Sequence, residues 1–185
     1  ARPWRRAACA PSGRRFFSAM SSALPGVKAA GCKWQSGSPD NAARGQPYIT
    51  GQYILNDLDT GLPLAIIDST WITEVRTAAA TAVAARALVA GPPKTIGMLG
   101  CGLQARRHMQ ALTAAFSSIA QVKCYDVVLA AGERYRLEVM KAHGVDVTVC
   151  ASARDAFDGC DLVVTTGPIA PDTPRLAQAA WLAPR

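Results

Sequence analysis

Residues Gly100-Cys101-Gly102-Leu103-Gln104-Ala105 sit directly between a short apolar run, Thr95 to Leu99, and a helix-periodic segment, Gly102 to Phe116. The pattern G-x-G-x-x-G/A at a strand-to-helix junction constrains this chain more than any other feature in it. Gly100 permits a tight turn, Gly102 lets the backbone approach a pyrophosphate, and Ala105 lets the helix pack closely on the strand. The N–H groups of the helix then face the phosphates. An acid, Asp126, ends the next strand, 21 residues after Ala105, at the position from which a carboxylate binds both ribose hydroxyls. That carboxylate would repel a 2′-phosphate, which favours NAD over NADP. The plainer alternative is a structural turn with Asp126 as a solvated loop acid.

The segments around the loop fit a parallel sheet with helical crossovers. Val122 to Tyr125, Val145 to Cys150 and Leu162 to Thr166 read as further strands. Ala130 to Ala142 reads as a helix and Ser152 to Phe157 as a short one. A doubly wound dinucleotide fold commonly has about six strands; only four are expected before Arg185, so the sheet is expected to be incomplete at its C-terminal end. Ahead of it, residues 1–47 read as irregular and rich in Gly and Pro. Tyr48 to Leu55 and Leu62 to Ile67 read as a hairpin closed by Asn56-Asp-Leu-Asp-Thr-Gly61. Thr73 to Ala90 reads as one long helix, with Ser69 or Thr70 as its cap and Gly91-Pro92-Pro93 as its stop. The expected fold class is therefore α/β: a Rossmann-type doubly wound parallel sheet at 92–185, preceded at 1–91 by a partial α+β domain.

Charge divides the chain in another way. Arg2, Arg5, Arg6, Arg14, Arg15, Lys28 and Lys33 precede the first acid, Asp40, and account for the whole formal charge of +7. An acid-free basic stretch suits a targeting segment, a nucleic-acid arm or an anion-handling part of the fold. Pro3, Pro11 and Gly13 interrupt any amphipathic targeting helix. The stretch lacks the interleaved aromatics that stack on bases, so no nucleic-acid partner is expected. No apolar run reaches the length of a membrane span, so no membrane partner is expected either. The six cysteines form no C-x-x-C pair, and with only His108 and His143 available, zinc-ligand spacing is absent. Cys124 and Cys150 lie in strand-like runs where Cys acts as a small hydrophobe, so a reducing, cytoplasmic setting is expected.

Four stretches, in this order and spacing, resemble the ornithine cyclodeaminase/mu-crystallin family. They are Gly31-Cys-Lys-Trp-Gln-Ser-Gly37, Asn56-Asp-Leu-Asp-Thr-Gly-Leu-Pro-Leu-Ala65, Ile66 through Thr73-Glu-Val-Arg-Thr-Ala-Ala-Ala80, and the glycine loop with His108. The resemblance implies a substrate-binding and dimerisation domain followed by a Rossmann domain, with the active site between them. It implies oxidation of an amino acid at Cα, or reduction of an imine, with a nicotinamide cofactor. In the cyclodeaminase the overall change is ornithine to proline plus ammonia. Alanine dehydrogenases, ketimine reductases and the binding protein mu-crystallin are the other expectations, and a homodimer is implied for the whole protein.

Residue by residue, Lys33 matches the family's active-site lysine, and strand alternation would turn Cys32 and Trp34 to the other side. Arg76 matches the substrate and cofactor arginine; an ion pair with Asp68 is its structural alternative. Leu103 and Gln104 match the cofactor loop and Thr166 the threonine after the fourth strand. Arg5 is matched to the N-terminal substrate arginine, with Arg6 beside it as the competing choice. Arg106 and Arg107 are open between phosphate contact and a solvated face, while His108 is expected to be structural. Tyr48 stands where the cyclodeaminase has a threonine, a departure from a strict ornithine enzyme. The family's catalytic aspartate is expected beyond Arg185, so these 185 residues alone are not expected to turn over substrate.

Overall fold

The computed structural model describes residues 7–9, 15–167 and 175–182. The chain divides into two compact units, Ala1–Thr73 and Glu74–Arg185. The division falls in the first turn of a long helix, whereas the sequence reading placed it at Gly91, after the helix ends. Ala82 and Ala85 of that helix are buried in the core of the second unit, which is why most of the helix belongs there.

The first unit is an antiparallel meander of five strands in sequential order. These are β1 (Ala7–Cys9), β2 (Phe16–Leu24), β3 (Ala29–Gly37), β4 (Ile49–Asp57) and β5 (Pro63–Asp68). The β4–β5 hairpin meets the sequence expectation. The irregular reading of residues 1–47 is corrected: β2 and β3 are paired along their whole length, from Phe16↔Gly37 to Leu24↔Ala29. Ala, Ser and Gly dominate these strands, so they show neither the β-branched content nor the apolar alternation that marks a strand in sequence. Their small size is a packing requirement. A Cβ on Gly37 would lie 2.2 Å from the Phe16 ring, and one on Gly31 would lie 2.8 Å from the Tyr53 ring. Pro25–Val27 forms the connecting 3-10 turn, which Lys28 closes in the left-handed region at φ 50.

The second unit carries the parallel sheet. It contains most of α1 (Thr70–Leu88), then β6 (Thr95–Leu99), α2 (Leu103–Ala115), β7 (Gln121–Tyr125), α3 (Leu129–His143), β8 (Asp146–Val149) and β9 (Leu162–Thr165). The strand order is β8-β7-β6-β9, all parallel. Order therefore reverses between β6 and β9, the signature of a doubly wound sheet. Ile96, Met98, Val122 and Cys124 of the sheet pack on Met109 and Leu112 of α2 and on Tyr135 and Val139 of α3, all essentially without solvent contact. The expected helix at Ser152 to Phe157 is instead a run of turns. The Ser152 hydroxyl donates to Asp155 Oδ2 and accepts the Asp155 N–H there, and only isolated backbone bonds such as Asp158 N–H to Arg154 O form. Among the described residues, no helix is long and apolar enough to cross a membrane.

The β4–β5 turn is organised by one carboxylate. Asp57 Oδ1 accepts the Thr60 N–H at 2.7 Å, the Thr60 hydroxyl at 2.8 Å and the Asp59 N–H at 3.1 Å. The Thr60 bonds hold the Asp57 carboxyl below its ordinary value. The unfolded chain thus takes up this proton more readily than the folded one. The turn's contribution is complete above the ordinary carboxylate value and is lost as pH falls through the lowered one. Asp57→Asn is expected to lower Tm near neutral pH and much less in acid. Asp59→Asn, which removes only an exposed pair with Lys28, should change Tm at neither pH. Thermal unfolding of both variants across acid pH checks this.

Candidate functional site

At the C-terminal end of β6 the chain turns sharply through Gly100, whose φ is 94. A side chain cannot be accommodated there in any case, because a Cβ would lie 2.9 Å from the Gly167 nitrogen. Two neighbouring strand ends, those of β7 and β9, hold the turn. Gly100 N–H donates to Tyr125 O at 2.8 Å, Thr166 N–H donates to Leu99 O at 2.8 Å, and the Thr166 hydroxyl donates to Gly100 O at 2.8 Å. The next residue is held by Asp126, whose Oδ2 accepts the Cys101 N–H at 2.7 Å while Oδ1 accepts the Val128 N–H at 2.9 Å. Gly100, Cys101, Asp126 and Thr166 therefore converge at the point where strand order reverses, the place at which open α/β sheets bind ligands.

The rim of this turn has the form of an anion cradle. Gly102 is the N-cap of α2, makes no side-chain capping bond, and has open space where a Cβ would stand. The first-turn N–H groups of α2 thus meet no capping side chain. Ala105 is fully buried beneath them. Leu103 is exposed, while Gln104 Oε1 is buried without a hydrogen-bond partner among the described residues. Each Asp126 oxygen already accepts one backbone bond and retains lone-pair capacity for a hydroxyl donor. These residues fit a dinucleotide: a cradle for the pyrophosphate and an acid for the ribose.

The arginines of α2 are engaged elsewhere. Arg106 pairs with Glu138 of α3 and donates to Cys101 O, and Arg107 pairs with Glu74 at 3.1 Å. Neither of the two readings left open, phosphate contact or a solvated face, describes them: both are tied up in ion pairs between helices. His108 is structural, as expected: its Nδ1–H donates to Gln104 O at 2.6 Å, which leaves Nε2 to face the Thr81 hydroxyl at 3.0 Å. The Cys101 thiol is fully buried, and its hydrogen bond with Cys124, followed by desolvation, pushes its pKa strongly upward. It remains a neutral filler beneath the loop.

In the first unit, Lys33 is 6% exposed and its Nζ donates to Thr73 Oγ1 at 3.2 Å. Trp34 is 49% exposed on the opposite face and stacks on Phe17 with centroids 6.0 Å apart. The alternation read from sequence places both correctly. Thr73 and Gln35 are members of the Lys33 neighbourhood that residue-type reasoning missed. The available signal for Gln35 was its position two residues after Lys33 on the same strand face. Arg76 is exposed on α1 and makes no ion pair among the described residues. Its expected partner, Asp68, instead accepts the Thr70 N–H and hydroxyl. Asp68 thereby does the capping expected of Ser69 or Thr70. Arg5 and Arg6 lie outside the described residues.

Residues 2–184 match the model of the ornithine cyclodeaminase/mu-crystallin family. An ornithine cyclodeaminase of Agrobacterium fabrum is 32% identical over 136 residues, 73% of this chain and 38% of that protein. A solved Thermococcus litoralis Delta(1)-pyrroline-2-carboxylate reductase in complex with NADH and L-proline matches with a TM-score of 0.82 and 30% identity, over 86% of this chain and 50% of its own. An archaeal alanine dehydrogenase dimer with bound NAD matches at 0.84 and 32%, over 96% of this chain and 52% of its own. The chain spans about half or less of the length of these relatives.

Among the described residues, it is the Thr166 hydroxyl that grips the Gly100 carbonyl. Thr166→Val is expected to destabilise the second unit by about 1 kcal/mol, the usual worth of such a bond, and Thr166→Ser to retain most of it. Urea unfolding of the two variants is the check.

Proposed function

The chain belongs to the ornithine cyclodeaminase/mu-crystallin family, and on that footing we propose that it forms part of an NAD-dependent enzyme acting at the Cα–N bond of an amino acid, ornithine in the first instance. The observation that carries the reading is the uncapped α2 N-terminus over Gly102, with Asp126 held at the adjoining strand end. Gly100, Gly102, Leu103 and Gln104 would line the pyrophosphate, Asp126 the ribose, and Thr166 the turn between them. A bound nicotinamide supplies a reversible hydride acceptor. Asp126 is a poor neighbour for a 2′-phosphate, which supports NAD over NADP.

Lys33 and Arg76 are assigned to the substrate, with Arg5 as a third group from the N-terminal segment. An ammonium on a buried strand face and an exposed guanidinium that makes no ion pair among the described residues both suit a carboxylate. We also assign Lys33 to holding or passing a proton, its Nζ lying 3.2 Å from the Thr73 hydroxyl. Conversion of ornithine to proline and ammonia is redox-neutral overall, so the hydride removed from Cα must be returned to the ring imine.

The relatives favour two sister readings, alanine dehydrogenase and imine reductase, and Tyr48 in place of the family's threonine supports keeping them. A non-catalytic binding protein is the remaining alternative. We also assign the exposed sheet face bearing Trp34, Ile54, Leu64 and Ile66 to a homodimer contact. Such an apolar face is larger than isolated surface residues require, and the archaeal relative is a dimer.

The assay uses the whole protein with ornithine and NAD. Proline and ammonia without net NADH are expected. Net NADH from an amino acid would assign a dehydrogenase, and NAD binding without turnover would assign a binding protein. Lys33→Ala should lower kcat/KM at least a hundredfold, on the scale of losing a positioned catalytic group; unchanged kinetics would overturn its role. Asp126→Ala should weaken NAD by about tenfold or more, the scale of a lost buried bond, and narrow its advantage over NADP in titration.

A further inference from the structure

The face of the first sheet that carries Lys33 holds a second polar feature. In antiparallel register, Met20, Lys33, Tyr53 and Ile67 form one row, and Ser18, Gln35 and Gly51 form the next. Ser69, whose N–H donates to Gly51 O at 3.0 Å, extends that second row. Gln35 is 6% exposed and Ser69 1%. Gln35 Oε1 and Ser69 Oγ are both buried and without a hydrogen-bond partner among the described residues. Between them β4 offers no side chain: a Cβ on Gly51 would lie 2.3 Å from Trp34 O, 2.8 Å from Ser69 Oγ and 2.9 Å from Gln35 Cα.

Buried polar atoms are nearly always paired, because each unpaired one carries its full desolvation penalty. Ser69 is notable because it occupies the residue before α1, where a hydroxyl ordinarily caps the helix. Here Asp68 takes the Thr70 N–H and the Ser69 hydroxyl is left over. Two orphaned groups on one face, one pleat repeat from Lys33, mark a place for a group that the described residues do not supply.

Resting on the substrate reading above, we infer that Gln35 and Ser69 form the specificity station for the substrate's side chain. They take a hydrogen-bond donor, the ω-amine of a short diamino acid, while Lys33 takes the carboxylate. An amide carbonyl and a hydroxyl both accept from an ammonium. Same-face positions two residues apart on a strand are separated by roughly 7 Å, the span of an extended ornithine from carboxylate to amine. The two cations, Lys33 and the amine, are thereby kept apart by the substrate's own carbon chain. A substrate ending in a methyl group would leave both polar atoms unpaired.

The test compares L-ornithine with L-norvaline, which has the same carbon chain without the amine, by calorimetry on the whole protein saturated with NAD. Wild type is expected to bind ornithine at least tenfold more tightly. Gln35→Val and Ser69→Ala should each erase most of that ratio by weakening ornithine alone. Both variants should unfold at or above the wild-type urea midpoint, since each removes an unpaired buried polar group. A wild-type ratio near one, or a ratio that survives both substitutions, would overturn the station, and would mean that the two atoms are satisfied by water. Norvaline binding that still depends on Lys33 in that case would leave the broader substrate reading standing. Loss of the ratio accompanied by a lowered urea midpoint in both variants would also count against the station, assigning the two residues to structure.

Discussion

The second unit depends on one backbone turn. Gly100 is held by the ends of β7 and β9, and Cys101 by the carboxylate just past β7. Strand ends in a parallel sheet are otherwise free to splay, because the connections between them run through helices on the faces. Tying three of them to one two-residue segment fixes the floor on which α2 starts. It also fixes where the α2 N–H groups point. The direction of that anion cradle follows from the strand-end bonds as much as from the glycines. Asp126 has a double part in this: it braces the loop by accepting the Cys101 N–H, and it keeps acceptor capacity for an incoming hydroxyl. Removing its charge would therefore alter the scaffold as well as the proposed recognition, which is why a change in NAD preference is more diagnostic than a loss of affinity.

The first unit solves a different problem. A lysine that is almost fully buried must be surrounded by groups that bond to it or give it room. The sheet does this with small residues. Gly31, Gly37 and Gly51 let aromatic rings or neighbouring backbone close over the strand, so that the sheet is tight without being bulky. The Thr73 hydroxyl, at the first turn of α1, then meets the Lys33 ammonium. The opposite face is left to large apolar side chains that remain exposed in this chain. One strand, β3, therefore separates a polar interior face from an apolar exterior one by alternation alone.

Legibility in the sequence followed this physical division. The parallel sheet was readable because its strands are short and mostly apolar and two of its crossovers, α2 and α3, are helices with Gly102 before the first and Gly144 after the second. Gly100, Gly102 and Asp126 were readable because their spacing is set by the turn, not by partners elsewhere in the chain. Residues β2 and β3 were missed because Phe16-Phe-Ser-Ala-Met-Ser-Ser-Ala-Leu24 has no period-2 apolar pattern, and tertiary packing on Gly37 and Gly31 decides its conformation. The cap of α1 was misassigned for a related reason. Asp68, Ser69 and Thr70 are all capable caps, and which one acts depends on the β5 geometry that delivers Asp68 to the Thr70 N–H. Gln35 and Ser69 were invisible because being unpaired is a property of surroundings.

The acid-free start of the chain gains a physical meaning from these placements. Arg15 and Lys28 find exposed partners in Asp40 and Asp59, so that part of the excess charge is neutralised at the surface. Lys33 is different: it is buried, its Nζ donates to the Thr73 hydroxyl, and Met20 and Tyr53 stand beside it across the strands. A low-dielectric site with fixed positive charge strengthens any interaction with an anion that enters it. Scattered surface basicity would attract nucleic acid or membrane in a salt-dependent manner, whereas an enclosed ammonium suits the small carboxylate proposed above. Among the described residues, the basic groups ahead of Asp40 thus separate into the exposed Arg15 and Lys28 and the buried Lys33.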